Sequence, residues 1–270
     1  GSRMGARALT YADALRGPHD IAEHAPAPHG TGPAAPWIAD GRTLCVSCHE
    51  AATNPQGVAS CTTGAEYMAG GTDASCTSCH MPEVEGPSGA VSSRSTHRSH
   101  AFLGPHHLFR DGDDAERGAA FMASAVEASA ALEGTQLTLR VSNTSGHGMP
   151  TGFPGRMVIV RAIGRDEAGE VVWRNFRENP MAEDPDAVWN KVYVDAEGQP
   201  TLPPYGAELR RDTRLGPGER RELSWTVPDA VAQAEVQLLF RLVPPPAVGR
   251  MGLEGTPLAG ARPMVTVTSP

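Results

Sequence analysis

Two pentapeptides constrain this chain more than anything else in it: Cys45-Val46-Ser47-Cys48-His49 and Cys76-Thr77-Ser78-Cys79-His80. Both match the C-x-x-C-H signature of covalent c-type haem attachment. Two thiols three positions apart on a helical turn face the same way and reach the two vinyl groups on one porphyrin edge. The histidine that follows swings its imidazole onto the iron as proximal ligand. The sequence therefore predicts two haem c groups, held by Cys45, Cys48, Cys76 and Cys79 through thioethers and by His49 and His80 through iron.

The competing uses of such cysteines fit less well. Two C-x-x-C pairs could supply four thiolates to zinc, but zinc does not account for a histidine after each pair. A thioredoxin-type redox pair would stand alone at a strand-to-helix turn and would not repeat. Five cysteines form no even disulfide framework. The odd one, Cys61, lacks a second cysteine and a histidine. It is expected as a small, partly buried apolar residue, with a redox-active or iron-coordinating thiolate as the alternatives.

Haem attachment takes place outside the cytoplasm, so the chain is expected in the periplasm, outside the cell or on its surface. Gly1-Ser2-Arg3-Met4 reads as a cloning remnant, and any export signal is expected to have been removed. No apolar run approaches the roughly 18 residues of a membrane helix. Acids outnumber bases 31 to 23, a net charge of -8, which argues against a nucleic-acid partner. Lys191 is the only lysine; the other basic side chains are arginines.

The hydrophobic pattern changes along the chain and gives an α+β organisation. Residues 1–36, with "HAPAPHGTGPAAP", are too rich in proline for regular structure and read as an extended arm. Residues 37–112 read as a small dihaem cytochrome domain of short helices and loops: "PWIADGRTLCVSCHE" as a helix entering the first site, "AEYMAG" as a second helix, and "SSRSTHRSHAFLGPHH" as loop. Residues 113–133, acidic at the start and alanine-rich after it, read as one linking helix. From 134 to 270 the period becomes two, in "TQLTLRVSN", "MVIVRAIGRD", "EVVWRNF", "RRELSWTV" and "AEVQLLFRLV". Short strands separated by turns such as "DEAGE" and "GPGE" predict an antiparallel β-sandwich of immunoglobulin-like kind.

With these motifs placed, the chain resembles multihaem cytochromes c related to the tetrahaem electron carrier of ammonia oxidisers, in the versions that bear a C-terminal β-sandwich. The resemblance is carried by the first C-x-x-C-H, the helix at "CTTGAEYMAG", and "C-x-x-C-H-M-P" from Cys76 to Pro82. It continues in "H-x-F-x-G" at His100, Phe102 and Gly104, and in "N-x-x-x-G-H-x-x-P-T-G-x-P-x-R" from Asn143 to Arg156. It spans roughly residues 40 to 245. Relatives often carry four or more haems; this chain has two motifs, so it reads as a dihaem member or as a piece of a longer multihaem protein.

Each iron has a sixth position, and what fills it decides the chemistry. Two strong axial ligands make a low-spin iron suited to electron transfer, whereas an open position admits small ligands. Eight further histidines favour bis-histidine ligation. The resemblance puts His100 first. His147 follows, between Gly146 and Gly148, whose small size lets the backbone approach a large flat group. His29, and His106 or its neighbour His107, are the alternatives, and His97 is expected to face solvent. Met149 is the competing ligand, with core packing as its ordinary role. Among Arg42, Arg94, Arg98, Arg110 and Arg156, one or two are expected to pair with haem propionates.

The resulting expectation is an extracytoplasmic electron carrier working between redox protein partners. The alternatives are a haem enzyme with one open iron, peroxidase-like or reducing nitrogen oxides, and an assembly subunit whose β domain docks partners or further copies of itself.

Overall fold

The computed structural model describes residues 35–50, 52–90 and 92–269, with the backbone of Arg16–Gly17 and Gly30–Thr31, which form a short parallel ladder. The rest of the N-terminal arm, His29 included, lies outside the described residues. By its contacts the chain forms two units that alternate in sequence, 1–50 with 73–103 and 51–72 with 104–270. The stretch between the two haem motifs thus belongs with the C-terminal strands, not with the motifs that flank it. Side chains hold it there. The Asn54 amide donates to the carbonyls of Pro203 (2.9 Å) and Gly206 (2.6 Å), and the Tyr193 hydroxyl donates to that of Ala59 (3.0 Å).

Five helices position the candidate site: α1 (Pro36–Ala39), α2 (Thr43–His49), α3 (Thr63–Gly70), α4 (Cys76–His80) and α5 (Asp113–Ser124). The helix expected to run from Pro36 into the first motif is two helices. Gly41 breaks it at φ +64°, and the Asp40 carboxylate accepts the amides of Arg42 and Thr43, both at 2.9 Å, at the start of α2. Past α4, a ladder of Glu83–Glu85 with Thr96–Arg98 crosses part of what reads as loop.

The expected linking helix stops at Ser124, and Val126–Glu133 is a strand. Asp113, Asp114 and Glu116 sit in the first turn of α5, where acids offset the positive helix end. Beyond Ala125 the alanines favour helix, but the segment pairs in full register with Gln136–Asn143, from Val126 opposite Asn143 to Glu133 opposite Gln136. Gly134 at φ +59° closes the hairpin. Ladder hydrogen bonds and packing on the core outweigh a propensity worth a few tenths of a kcal/mol per residue.

The strands that follow α5 are, in chain order, β1 (Val126–Glu133), β2 (Gln136–Asn143), β3 (Met157–Arg165), β4 (Val171–Arg174), β5 (Val188–Trp189), β6 (Lys191–Val194), β7 (Pro200–Thr201), β8 (Glu208–Asp212), β9 (Arg220–Thr226), β10 (Gln233–Arg241) and β11 (Ala261–Ser269). They form antiparallel sheets of order β4-β3-β10-β11, with β5 also on β3; β9-β2-β1; and β7-β6-β8. One core is shared by Leu137, Leu139 and Val141 of β2, Val158, Val160 and Ala162 of β3, and Val236, Leu238 and Phe240 of β10. In β2 these apolar side chains alternate with outward-facing ones, the period that made the strand readable.

Candidate haem-attachment sites

Among its described residues the first unit has no core of its own. None of its residues with a described side chain is buried, whereas the second unit holds every buried hydrophobic residue among those described. A unit of short helices that buries nothing cannot offset its own chain entropy. Porphyrin, large and apolar, is the material such a unit lacks.

The donor set fits them. Cys45 and Cys48 lie one turn apart on α2, Cys76 and Cys79 one turn apart on α4, and His49 and His80 end the two helices. No disulfide joins any of the five cysteines. Leu103 orients His80: its carbonyl stands 2.6 Å from Nδ1, and its amide donates to the His80 carbonyl at 2.9 Å. A proton on Nδ1 leaves the lone pair on Nε2, the second-sphere arrangement by which proteins fix a ligating imidazole. Among the described residues no three histidine, cysteine or carboxylate side chains gather at a common point, as a zinc site would require.

The two attachment segments touch. The Thr77 amide donates to the Gly41 carbonyl at 3.2 Å, and a Cβ at Gly41 would stand 2.4 Å from the Thr77 hydroxyl. Cys76 lies against Cys45, within hydrogen-bonding reach. The Arg98 guanidinium donates to the Met81 carbonyl (3.2 Å), just past the end of α4.

His100 lies in the same unit, exposed, three residues before the carbonyl that orients His80. Its ring meets Phe102 edge-on at 6.0 Å, and Phe102, half exposed, takes φ 51°.

His147 lies in the second unit, in a loop with a dense internal frame. Asn143, 1% exposed, donates from Nδ2 to the carbonyls of His147 (2.8 Å), Leu215 (3.3 Å) and Gly216 (2.9 Å). Its Oδ1 accepts the Ser145 amide (3.0 Å) and hydroxyl (2.7 Å). His147 Nδ1 lies 3.1 Å from the Gly148 carbonyl. Glu66 of α3 accepts the Gly148 amide (3.0 Å), the hydroxyls of Thr151 and Thr62 (2.6 Å each) and Arg214 (2.7 Å). The flanking glycines serve this frame: a Cβ at Gly146 would strike Thr72 at 2.7 Å, and one at Gly148 would strike Glu66 at 2.9 Å. The close approach they permit is to α3 and the residues after it.

No family model matches the sequence, and no curated protein matches it. Among solved structures, the crystal structure of a penta-heme cytochrome c552 from Thermochromatium tepidum superposes with a TM-score of 0.72 at 25% identity, over 98% of this chain and 65% of that one. The fold is that of a multihaem c-type cytochrome. The chain spans about two thirds of the length of that pentahaem structure.

Within this cytochrome fold the other sequence candidates separate. His106 is exposed, its ring tilted against that of His107 with centroids 4.1 Å apart; burial, then the charges of His107, Arg110 and Arg156, push its pKa down. His107 is 1% exposed, packed beside Gly118 of α5. Met149 is buried in the β core, its ordinary role. Arg110 pairs with Asp114 at 2.8 Å. The sequence gives no sign of the roles of Glu66 and Leu103, and marks Asn143 only as part of a motif, since their partners lie 23 to 148 residues away or depend on loop closure.

Proposed function

We propose that this chain is an extracytoplasmic dihaem c-type cytochrome that passes electrons between redox protein partners. Cys45, Cys48 and His49 hold one haem; Cys76, Cys79 and His80 hold the other. When bound, each haem supplies an iron that cycles between ferric and ferrous states.

The observation that carries this reading is the direct contact between the attachment segments, Thr77 on Gly41 and Cys76 against Cys45. Two cofactors tethered to touching helices are kept close together, as electron exchange requires. Leu103 holds the His80 ring by Nδ1, which limits its movement when the charge on a bound iron changes.

For the sixth positions we propose His100 and His147. His100 is exposed beside the segment that orients His80, and His147 is held in the Asn143 frame. His106 is the alternative among the described residues, and His29 the one outside them. No helix among the described residues is long and apolar enough to cross a membrane. Self-association through the β unit is a separate proposal, tested by sedimentation velocity over a range of concentrations.

Low-temperature electron paramagnetic resonance and absorption spectra of the holo-protein test the carrier reading. Both irons should be low-spin when oxidised, and the reduced protein should not bind carbon monoxide. A stoichiometric high-spin ferric iron that takes up cyanide or carbon monoxide would overturn it in favour of an open-iron enzyme.

A further inference from the structure

The segment that orients His80 reaches it through an irregular turn. Glu83–Glu85 and Thr96–Arg98 form a regular antiparallel ladder, and the Ser99 amide donates to the Pro82 carbonyl at 2.9 Å. The next bond across the pair runs from the Leu103 amide to the His80 carbonyl, also at 2.9 Å. One chain thus moves two residues, from Pro82 to His80, while the other moves four, from Ser99 to Leu103. The surplus loops out at the turn of His100 and Ala101, both exposed, where the Ala101 amide donates to the Ser99 hydroxyl at 3.2 Å.

Phe102 brings the chain back. It takes φ 51°, the one positive φ outside glycine among the described residues. That region crowds a Cβ against the neighbouring carbonyl; glycine enters it freely, asparagine more readily than most, and a bulky side chain is an outlier there. Burial of the ring does not offset the cost, since the ring is half exposed and meets His100 edge-on. A costly backbone of this kind persists where surrounding contacts over-determine it, and such residues gather at functional sites. Here the contacts belong to the next residue. The Leu103 amide reaches the His80 carbonyl, and the Leu103 carbonyl stands 2.6 Å from Nδ1 of the same residue.

We infer, on the reading of Cys76, Cys79 and His80 as a haem site, that Phe102 is a positioning residue whose left-handed backbone lays Leu103 on His80 and so sets the reduction potential of that haem. The Leu103 carbonyl draws on the Nδ1 proton and makes Nε2 a stronger donor, which favours ferric iron and lowers the potential. Relaxing the turn withdraws the carbonyl and raises the potential. The backbone angle decides this, and the aromatic ring does not.

Potentiometry of the holo-protein with optical detection, and nitrogen-15 magnetic resonance of the His80 Nδ1 proton in the reduced state, test it. F102G and F102N can keep the left-handed angle, so both should retain the two wild-type potentials and slow exchange of that proton with solvent. F102P fixes φ at about −65° and cannot keep it. One potential should then rise by about 59 mV, a tenfold shift toward the ferrous state for one electron, while the other stays and the Nδ1 proton exchanges faster. F102V, disfavoured at positive φ without a locked angle, should move both readouts the same way by less, and it carries the test if F102P does not fold. Intact mass and absorbance are read first: a wild-type protein lacking the haem on Cys76 and Cys79 overturns the haem reading and the role of Phe102 with it. With that haem present, wild-type potentials and exchange in F102P and F102V overturn the role of Phe102 alone. Shifts in F102G and F102N as large as those in F102P also overturn it, by assigning the effect to the ring.

Discussion

The Gly148 amide donates a 3.0 Å hydrogen bond to the carboxylate of Glu66, 82 residues earlier in the chain. The same carboxylate accepts the Thr151 hydroxyl and the Arg214 guanidinium. A residue that lies between the two haem motifs in sequence thus fixes the loop that carries His147. The backbone on either side of that histidine is set by two side chains, Glu66 and Asn143.

Glu66 should make stability depend on pH. Burial raises its pKa, but hydrogen bonds from Thr151 and Thr62 and the charge of Arg214 outweigh this and bring it from 4.5 to about 2. A carboxylate whose pKa falls on folding contributes its full stabilisation above the unfolded value and loses it as pH drops from about 4.5 toward 2. The contribution is about 2–3 kcal/mol. Glu66→Gln should therefore lower the melting temperature at pH 7 by roughly 5–10 °C. Its melting temperature should also fall less than that of the wild type between pH 5 and pH 2.5. Parallel acid profiles for the two proteins would show that Glu66 is not the group responsible.

The proposed count of two haems rests on the two motifs alone. Intact-mass spectrometry of the mature protein should show two haem additions. Cys45→Ala with Cys48→Ala, or Cys76→Ala with Cys79→Ala, should remove one, and the pyridine haemochrome absorbance per chain should fall by about half. Cys61→Ala should retain both haems, because Cys61 stands in a β-type segment, Ala59–Cys61, with no second thiol on a shared helical turn.

What could be read from the sequence depended on how local the cause was. The two C-x-x-C-H turns are set within five residues. β2 showed itself through alternating Leu137, Leu139 and Val141, with one face on the core. β1 did not, because its alanines carry a helical preference that only pairing with β2 overrides. β11, where Met264, Val265 and Val267 pack on the core, falls among the strands that the period of two did not single out. Residues 51–72 were grouped with the motifs on either side, since the bonds from Asn54, Ala59 and Glu66 to the β unit cross 80 to 150 residues. The glycines around His147 signalled close approach correctly, but what they approach is Thr72 and Glu66.

Asn143 should be worth more than its size suggests. Buried at 1% exposure, it satisfies three carbonyls and accepts two groups of Ser145. Asn143→Ala removes these donated bonds and the acceptor of Ser145 from a buried setting, while each carbonyl keeps one other donor, from Ser145, Met149 and Glu219, so the cost should be about 1–3 kcal/mol. Asn143→Asp keeps the acceptor for Ser145 and loses the donor, so it should recover little. Hydrogen exchange should quicken at the 145–148 amides in both variants while β3 and β10 keep their protection. Unchanged exchange in that loop would place its rigidity with Glu66 instead.

The ligand assignments separate by spectroscopy. If His100 and His147 each complete one iron, His100→Ala and His147→Ala should each convert one low-spin ferric signal to high spin and leave the other intact, and the double variant should convert both. Removing a strong axial nitrogen also raises the reduction potential of the affected haem. His97, whose Nδ1 lies 2.9 Å from the Gly86 carbonyl, provides the control, and His97→Ala should leave both signals unchanged. Asn143→Ala distinguishes the two sites further. It disturbs the His147 loop, so it should shift or broaden the signal that His147→Ala abolishes, and leave untouched the one that His100→Ala abolishes. A His147→Ala protein with two intact low-spin signals would remove His147 from the iron and make its loop purely a part of the β unit, with His106 and His29 the next to be replaced.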